Sequence, residues 1–201
     1  MIDPQTVKGF LAPDEGEALA AAAREVGHLG PIVEIGSYCG KSALYLGPAA
    51  RDAGTHLFSI DHHRGSEEHQ KGEGYHDPDL YDDAVEAVET LPEFRRTIRK
   101  AELEDCVIAI VGQSRDVARY WQTPTGMVFI DGGHSMAAAQ VDYDGWAGTI
   151  APGGILAIHD VFPDPKDGGR PPHEIWKQAM ASDKFERIDR INTLEMLRRL
   201  A

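Results

Sequence analysis

Five short, nearly uninterrupted apolar runs, each closed by a glycine or an acid, constrain this chain more than any other feature. They are PIVEIG (31–36), THLFSID (55–61), CVIAIVG (106–112), GMVFID (126–131) and GGILAIHD (153–160). A strand that is apolar at consecutive positions buries both faces, which suits a parallel sheet covered by helices on each side. Helical patterns fill the gaps: GEALAAAAREVGHLG, SALYLGPAARDAG, LPEFRRTIRKAEL, SRDVARYWQ, SMAAAQVDYDGWAGTI and HEIWKQAMASDKF. The chain therefore reads as a doubly wound α/β sandwich with a mostly parallel sheet. At the C-terminus the rhythm changes. FERIDRIN and TLEMLRRL alternate apolar with polar around Asn192-Thr193 and predict an antiparallel hairpin. The length of 201 residues suits a single domain, 1–201, with an N-terminal helical extension.

Charge and composition narrow the partners. A net charge of -13 disfavours a polyanion such as nucleic acid. No apolar run is long enough to span a bilayer, and the N-terminal stretch lacks the basic-then-apolar order of a signal peptide, so a cytoplasmic location without membrane contact is expected. Cys39 and Cys106 lack CxxC spacing and suit a reducing compartment, with neither disulfide nor zinc expected. Two long irregular stretches, 62–82 and 161–173, each begin where a strand ends. Ligands of open α/β sheets sit at that edge, so both are candidate lids.

The first strand runs into VEIGSYCGKSALYL, which nearly spells a phosphate-binding loop. That loop needs four residues between its first glycine and Gly-Lys-Ser/Thr, whereas Gly36 and Gly40-Lys41-Ser42 leave three. Glu34 adds an anion where a phosphate would sit. Both misfits make sense for a cationic ligand.

Taken in order, Glu34-x-Gly36-x-x-x-Gly40-x-Ser42, Asp61 at the end of the second strand, FIDGGH and APGGILAIHD resemble the motifs of class I S-adenosylmethionine-dependent methyltransferases over roughly residues 15 to 200. The resemblance implies the Rossmann-like fold of that class. S-Adenosylmethionine carries a sulfonium and an ammonium and no phosphate, so Glu34 would offset positive charge, directly or through water. Gly36 would admit the backbone closely, and Ser37, Tyr38 and Ser42 would meet the carboxylate or amino group. Asp61 would accept the ribose hydroxyls, as an acid does in dinucleotide folds, and His62 would touch the cofactor beside it. By family analogy Gln113 and Ser114, in VGQS, would flank adenine. The bland readings are a simple turn at Gly36, a cap at Asp61, packing for Tyr38 and Cys39, and a solvated Lys41.

Two further strand ends carry chemistry. Asp131 closes one, while His159 and Asp160 close the next, and adjacent parallel strands would bring them into one crevice as a metal site. Oxygen donors suit magnesium, and the imidazole also admits manganese. His134 would take the proton as an acceptor hydroxyl attacks the methyl carbon. This arrangement resembles the metal-dependent O-methyltransferases of the macrocin O-methyltransferase type, where such a base is histidine. It departs from them at His159, where that family commonly has an oxygen ligand. The resemblance also implies a homodimer.

A histidine base with a metal implies a hydroxyl acceptor, and the polar first loop favours a sugar or oligosaccharide over a flat catechol. The chain is also similar to short enzymes that methylate the 1-OH of a methylmannose oligosaccharide. The alternatives are a catechol-like or natural-product O-methyltransferase, an iron oxygenase of the cephalosporin hydroxylase type, and a noncatalytic cofactor-binding protein. His62, His63, His69 and His76 have irregular spacing that fits zinc poorly. Arg170 and His173 could approach an acceptor. Trp146 and Trp176 read as packing residues, and Asp142 and Asp144 as a solvated helix face.

Overall fold

The computed structural model describes residues 2–133, 135–164 and 166–201. His134 and Pro165 therefore lie outside the described residues. In chain order the main elements are α1 (Pro13–Val26), β1 (Ile32–Ile35), α2 (Ala43–Asp52), β2 (Leu57–Asp61), β3 (Tyr81–Asp82), β4 (Ala87–Val88), α3 (Leu91–Lys100) and β5 (Val107–Val111). They continue with α4 (Ser114–Ala118), β6 (Thr125–Ile130), α5 (Met136–Trp146), β7 (Ile150–Ile158), α6 (Arg170–Ala181), β8 (Phe185–Ile191) and β9 (Leu194–Arg199).

Seven strands form one sheet in the order β5-β2-β1-β6-β7-β9-β8. The first five in that order are parallel, and the terminal hairpin pairs antiparallel, β9 with β7 and β8 with β9. The fold is thus the α/β architecture expected, with its C-terminal hairpin. Asn192, at φ 49°, supplies the left-handed residue of the tight turn.

The pleat explains the continuous apolar runs. Ile32, Met127, Phe129, Ile155 and Ala157 point to one side, where Leu19, Ala23, Leu46 and Phe94 of α1, α2 and α3 cover them. Val33, Val128, Ile130, Leu156 and Ile158 point to the other, against Tyr143 and Trp146 of α5 and Ile175 and Ala179 of α6. Successive side chains alternate between faces, and both faces are filled.

Two elements depart from the sequence reading. CVIAIVG was expected to be as buried as its neighbours, yet β5 is an edge strand with Ile108 and Val111 exposed. Its place at the end of the sheet is the reason: Ile108 and Val111, three residues apart on the strand, lie on opposite faces, and both lack a further strand beside them. The helix that follows, α4, is also short, at five residues. The second irregular stretch is also shorter than expected, because α6 begins at Arg170. Pro171 and Pro172 occupy its first turn, where a missing N–H is harmless. Their ring-fixed φ starts the helix instead of extending the loop.

Trp146 is fully buried between α5 and the sheet. Trp146→Ala is expected to cost about 3–5 kcal/mol of stability, read as a lower urea midpoint at unchanged m-value.

Candidate functional site

The carboxyl ends of the parallel strands open into a cavity of about 930 Å3, lined by Gly36, Asp61, Gln113, Asp131 and Asp160 among others. On one side lies the turn after β1. Gly36 sits at φ 88°, and a β-carbon there would stand 2.0 Å from the carbonyl oxygen of Asp131. No other residue fits. Tyr38, at φ 43°, continues the left-handed turn. The backbone N–H groups of Ser37 and Tyr38 donate to Asp61 Oδ2 at 3.0 and 2.9 Å, and that of His63 donates to Oδ1 at 2.7 Å. Asp61 is thereby fixed at the cavity wall with acceptor capacity to spare, since a carboxylate offers about four lone-pair sites. Ser37 is buried among the residues that line the cavity, and its Oγ has no hydrogen-bond partner among the described residues. A buried hydroxyl left over beside a cavity has hydrogen-bonding capacity for a polar ligand.

Glu34 lies beneath this turn and not in the cavity wall. It is fully buried, accepting from Ser42 Oγ at 2.8 Å and Ser59 Oγ at 2.5 Å. Burial pushes its carboxyl up to about 7, with the two hydroxyls opposing the shift. Ser42, which does line the cavity, is committed to Glu34 through its proton. Lys41, expected to be solvated, is partly buried and donates to Gly9 O at 2.9 Å, tying the N-terminal segment to the turn.

On the far side, His62, Gln113 and Ser114 line the cavity. Ser114 Oγ donates to Asp142, which contradicts the reading of Asp142 as part of a solvated face. Asp142 is buried, and burial raises its carboxyl to about 6 against the pull of Ser114. It shares a helical stripe with Ala139, Tyr143 and Trp146, all buried. That spacing was visible in the sequence. Gly132 makes room for it, since a β-carbon there would lie 2.8 Å from Asp142 Oδ2. Asp144, by contrast, is exposed and accepts from Gln140.

At the centre, β6 and β7 bring Asp131, His159 and Asp160 together, with one ligand atom from each within 4.8 Å of the others. His159 Nδ1 lies 3.0 Å from Asp131 Oδ1 and 3.6 Å from Asp160 Oδ2. Asp160 adopts φ 56°, a left-handed conformation that is unusual outside glycine and turns its carboxylate into the crevice. On the other edge of the ring, His159 Nε2 meets Glu15 Oε2 at 3.0 Å. Burial opposes a charge on this ring, but Asp131, Asp160 and Glu15 outweigh it and hold His159 well above the usual histidine range. Burial would likewise raise Glu15, yet His159 and the N–H groups of Ala12 and Thr193 bring it below its ordinary value. The donor set, two carboxylates at the cavity wall with an imidazole buried behind them, fits a divalent cation. Glu15 was missed in the sequence, where it reads as a helix-capping residue.

The cavity mouth is aromatic. Phe10 and Tyr75 are exposed and meet edge-on at 5.3 Å, while Tyr38 stacks on His69 at 5.1 Å. Lys8 bridges this N-terminal segment to Asp77 and Asp79 of the first irregular stretch at 2.6 and 3.0 Å. His63 does not face the cavity group: it is buried, bonds Thr90 Oγ1 at 2.7 Å and is pushed below its usual range by burial. His76 Nδ1 faces the carbonyl of His69. Arg170 pairs with Glu174 on α6, and His173 packs on Trp176.

A protein-family model described as a methyltransferase domain matches residues 33–161, which span β1 to the end of the acid cluster. Among solved structures, the O-methyltransferase TomG from Streptomyces achromogenes, involved in tomaymycin synthesis and in complex with SAM, is 15% identical. The alignment covers 96% of this chain and 82% of that one, with a TM-score of 0.66. An O-methyltransferase from Bacillus cereus in complex with SAH is 15% identical over 96% of this chain and 83% of that one, at 0.65. An rRNA methylase from Streptococcus thermophilus is 13% identical over 96% and 100%, at 0.60. At these identities the likeness is one of fold.

The raised Glu34 carboxyl has a signed consequence. Its folded-state value lies above the unfolded one of 4.5, so its contribution favours folding at low pH and is lost as pH rises to about 7. Glu34→Gln is therefore expected to gain on the wild type between pH 5 and 8, by on the order of 3 kcal/mol, and to level off above 7. Chemical denaturation of both proteins across that range checks it, and a pH-independent difference would overturn the assignment.

Proposed function

The chain belongs to the methyltransferase-domain family, and from that premise we propose that it is an S-adenosylmethionine-dependent O-methyltransferase acting on a hydroxyl of a small polar acceptor, a sugar or oligosaccharide. One observation carries the reading: the glycine turn with Ser37 and the two aspartates of the Asp131, His159, Asp160 cluster line a single cavity, with His159 buried behind them. When bound, the cofactor supplies an electrophilic methyl group, and a divalent ion, magnesium or manganese, supplies Lewis acidity for the acceptor hydroxyl.

In this reading the chain's own residues bind, orient and deprotonate. Asp61 accepts the ribose hydroxyls, with its position fixed by the N–H groups of Ser37, Tyr38 and His63. Ser37 Oγ meets the methionine end, and Tyr38 and Ser42 form the wall beside it. His62, Gln113 and Ser114 surround adenine. Glu34, buried under Ser42, makes no direct contact in this reading, and in its ionised form adds negative charge to the field felt by a cationic ligand. Asp131, His159 and Asp160 hold the cation. His134 takes the hydroxyl proton on an imidazole nitrogen.

The acceptor is chosen by the mouth, because the fold alone is shared with enzymes of different substrates. A net charge of -13 argues against a polyanionic acceptor such as rRNA. Glu67, Glu68, Ser66 and His69 give the wall polar groups suited to a sugar. The exposed rings of Phe10 and Tyr75 favour a second reading, a phenolic acceptor, although such rings also cover the apolar face of a pyranose. The oxygenase alternative is weakened by the donor set. Non-haem iron oxygenases use two histidines and one carboxylate, whereas among the described residues this cluster has one histidine and two carboxylates.

Calorimetry with S-adenosylmethionine, S-adenosylhomocysteine and ATP tests the first step: micromolar binding of the first two without ATP is expected, and failure of both on folded, metal-supplied protein overturns the reading. Sugar and phenol acceptors assayed anaerobically with magnesium then separate the two acceptor classes. His134→Ala should abolish turnover while cofactor affinity stays within about twofold; retained turnover would remove His134 as the base. Asp160→Asn should eliminate metal stimulation, and its persistence would refute the ligand set.

A further inference from the structure

A histidine that holds a cation must offer one ring nitrogen to the ion and hand its other N–H to an acceptor that fixes the ring. His159 meets this requirement asymmetrically. Its Nδ1 faces Asp131 and Asp160, and its Nε2 faces, among the described residues, only Glu15, at 3.0 Å. We propose that Glu15 is the positioning residue of the cation site, accepting the Nε2 proton of His159 so that Nδ1 is the nitrogen presented beside the two aspartates. The inference rests on the reading of Asp131, His159 and Asp160 as that site.

Three features of Glu15 support the assignment beyond proximity. Its carboxylate is locked: Oε1 accepts from Thr193 N and Oγ1 at 3.1 and 3.0 Å, and Oε2 accepts from Ala12 N at 3.1 Å and from His159. It is buried, so none of these bonds competes with water. Both oxygens must also act as acceptors. A glutamine would turn its NH2 toward either Thr193 or His159, and an aspartate would fall short of one of them. Glu15 also lies outside the matched family segment 33–161, so the site is completed by α1, from the N-terminal extension.

A purely structural role, capping α1 and pinning the hairpin turn at Thr193, is the rival explanation. Titration of the full-length, metal-free protein with Mn2+ alone, followed by the paramagnetic resonance of free ion, separates the two. Glu15→Gln is expected to weaken Mn2+ binding about 10- to 100-fold, with S-adenosylhomocysteine affinity by calorimetry within about twofold of wild type. Thr193→Ala, which removes a bond to Oε1 and leaves Oε2 on His159, should lower stability without changing Mn2+ affinity. A folded Glu15→Gln protein that binds Mn2+ like the wild type overturns the proposal.

A second measurement needs no variant. In wild-type protein with nitrogen-15 histidine, loaded with cadmium-113, metal coupling should appear at Nδ1 of His159 while Nε2 keeps its proton. Coupling at Nε2, or none at His159, overturns the proposal. A wild type that binds S-adenosylhomocysteine but neither Mn2+ nor cadmium removes the cation site and this inference with it, leaving the methyltransferase reading intact.

Discussion

The site depends on a missing β-carbon. At Gly36 the turn leaving β1 passes so close to the end of β6 that any side chain would collide with the Asp131 carbonyl. The strands are neighbours in the sheet, and the backbone bond from Asp131 N to Ile35 O at 2.9 Å extends their pairing to the very ends. That contact sets the distance between the two halves of the cavity. The turn, which carries Ser37 and Tyr38 and fixes Asp61, and the loop that carries Asp131 share one wall because glycine lets their backbones touch. A bulkier residue would separate the polar groups suited to a cofactor from those suited to a cation.

Around that contact the chain buries an unusual number of acids, and the partner of each sets its character. Glu34 has only hydroxyls, which donate without neutralising, so burial dominates and its carboxyl rises to about 7. Asp142 has a single serine and rises to about 6. Glu15 is as inaccessible to water, yet it faces a histidine and two backbone N–H groups and moves the other way. Burial alone therefore does not decide which acids are charged near neutral pH. The ring of His159 lies among three carboxylates, while the acid beneath the glycine turn titrates near neutrality.

Much of this arrangement was legible because parallel strands announce themselves. An apolar run buried on both faces has no alternation to misread, and its end is marked by the first polar residue. Glu34, Asp61, Asp131, His159 and Asp160 stand at those ends or just before them. What the sequence hid were side chains whose partners lie far along the chain. Glu15 sits in APDEGEAL, where an acid in the first turn of a helix is adequately explained by its own Ala12 N–H; nothing local points to His159, 144 positions away. Asp142 was hidden by its charge, although it lies on the buried stripe of α5. The exposure of β5 depended on its place at the edge of the sheet, and the order of strands is a long-range property that local pattern does not fix.

The N-terminal segment links the two regions that the family segment alone leaves incomplete. Lys41 holds it to the glycine turn through Gly9, and Lys8 holds it to Asp77 on the first irregular stretch. Between these anchors and α1 it presents Phe10 at the cavity mouth, and a few residues later it sends Glu15 under His159. A partly exposed ion pair such as Lys8 to Asp77 contributes little stability by itself. Its effect is geometric, since it ties that stretch to a segment whose other end is fixed in the buried acid cluster. Tyr75 belongs to the stretch and Phe10 to the segment, so their edge-on contact at the mouth joins the same two pieces of chain. The wall that meets an acceptor and the support beneath the acid cluster are therefore carried by one continuous stretch of chain, and a shift at the start of α1 reaches both.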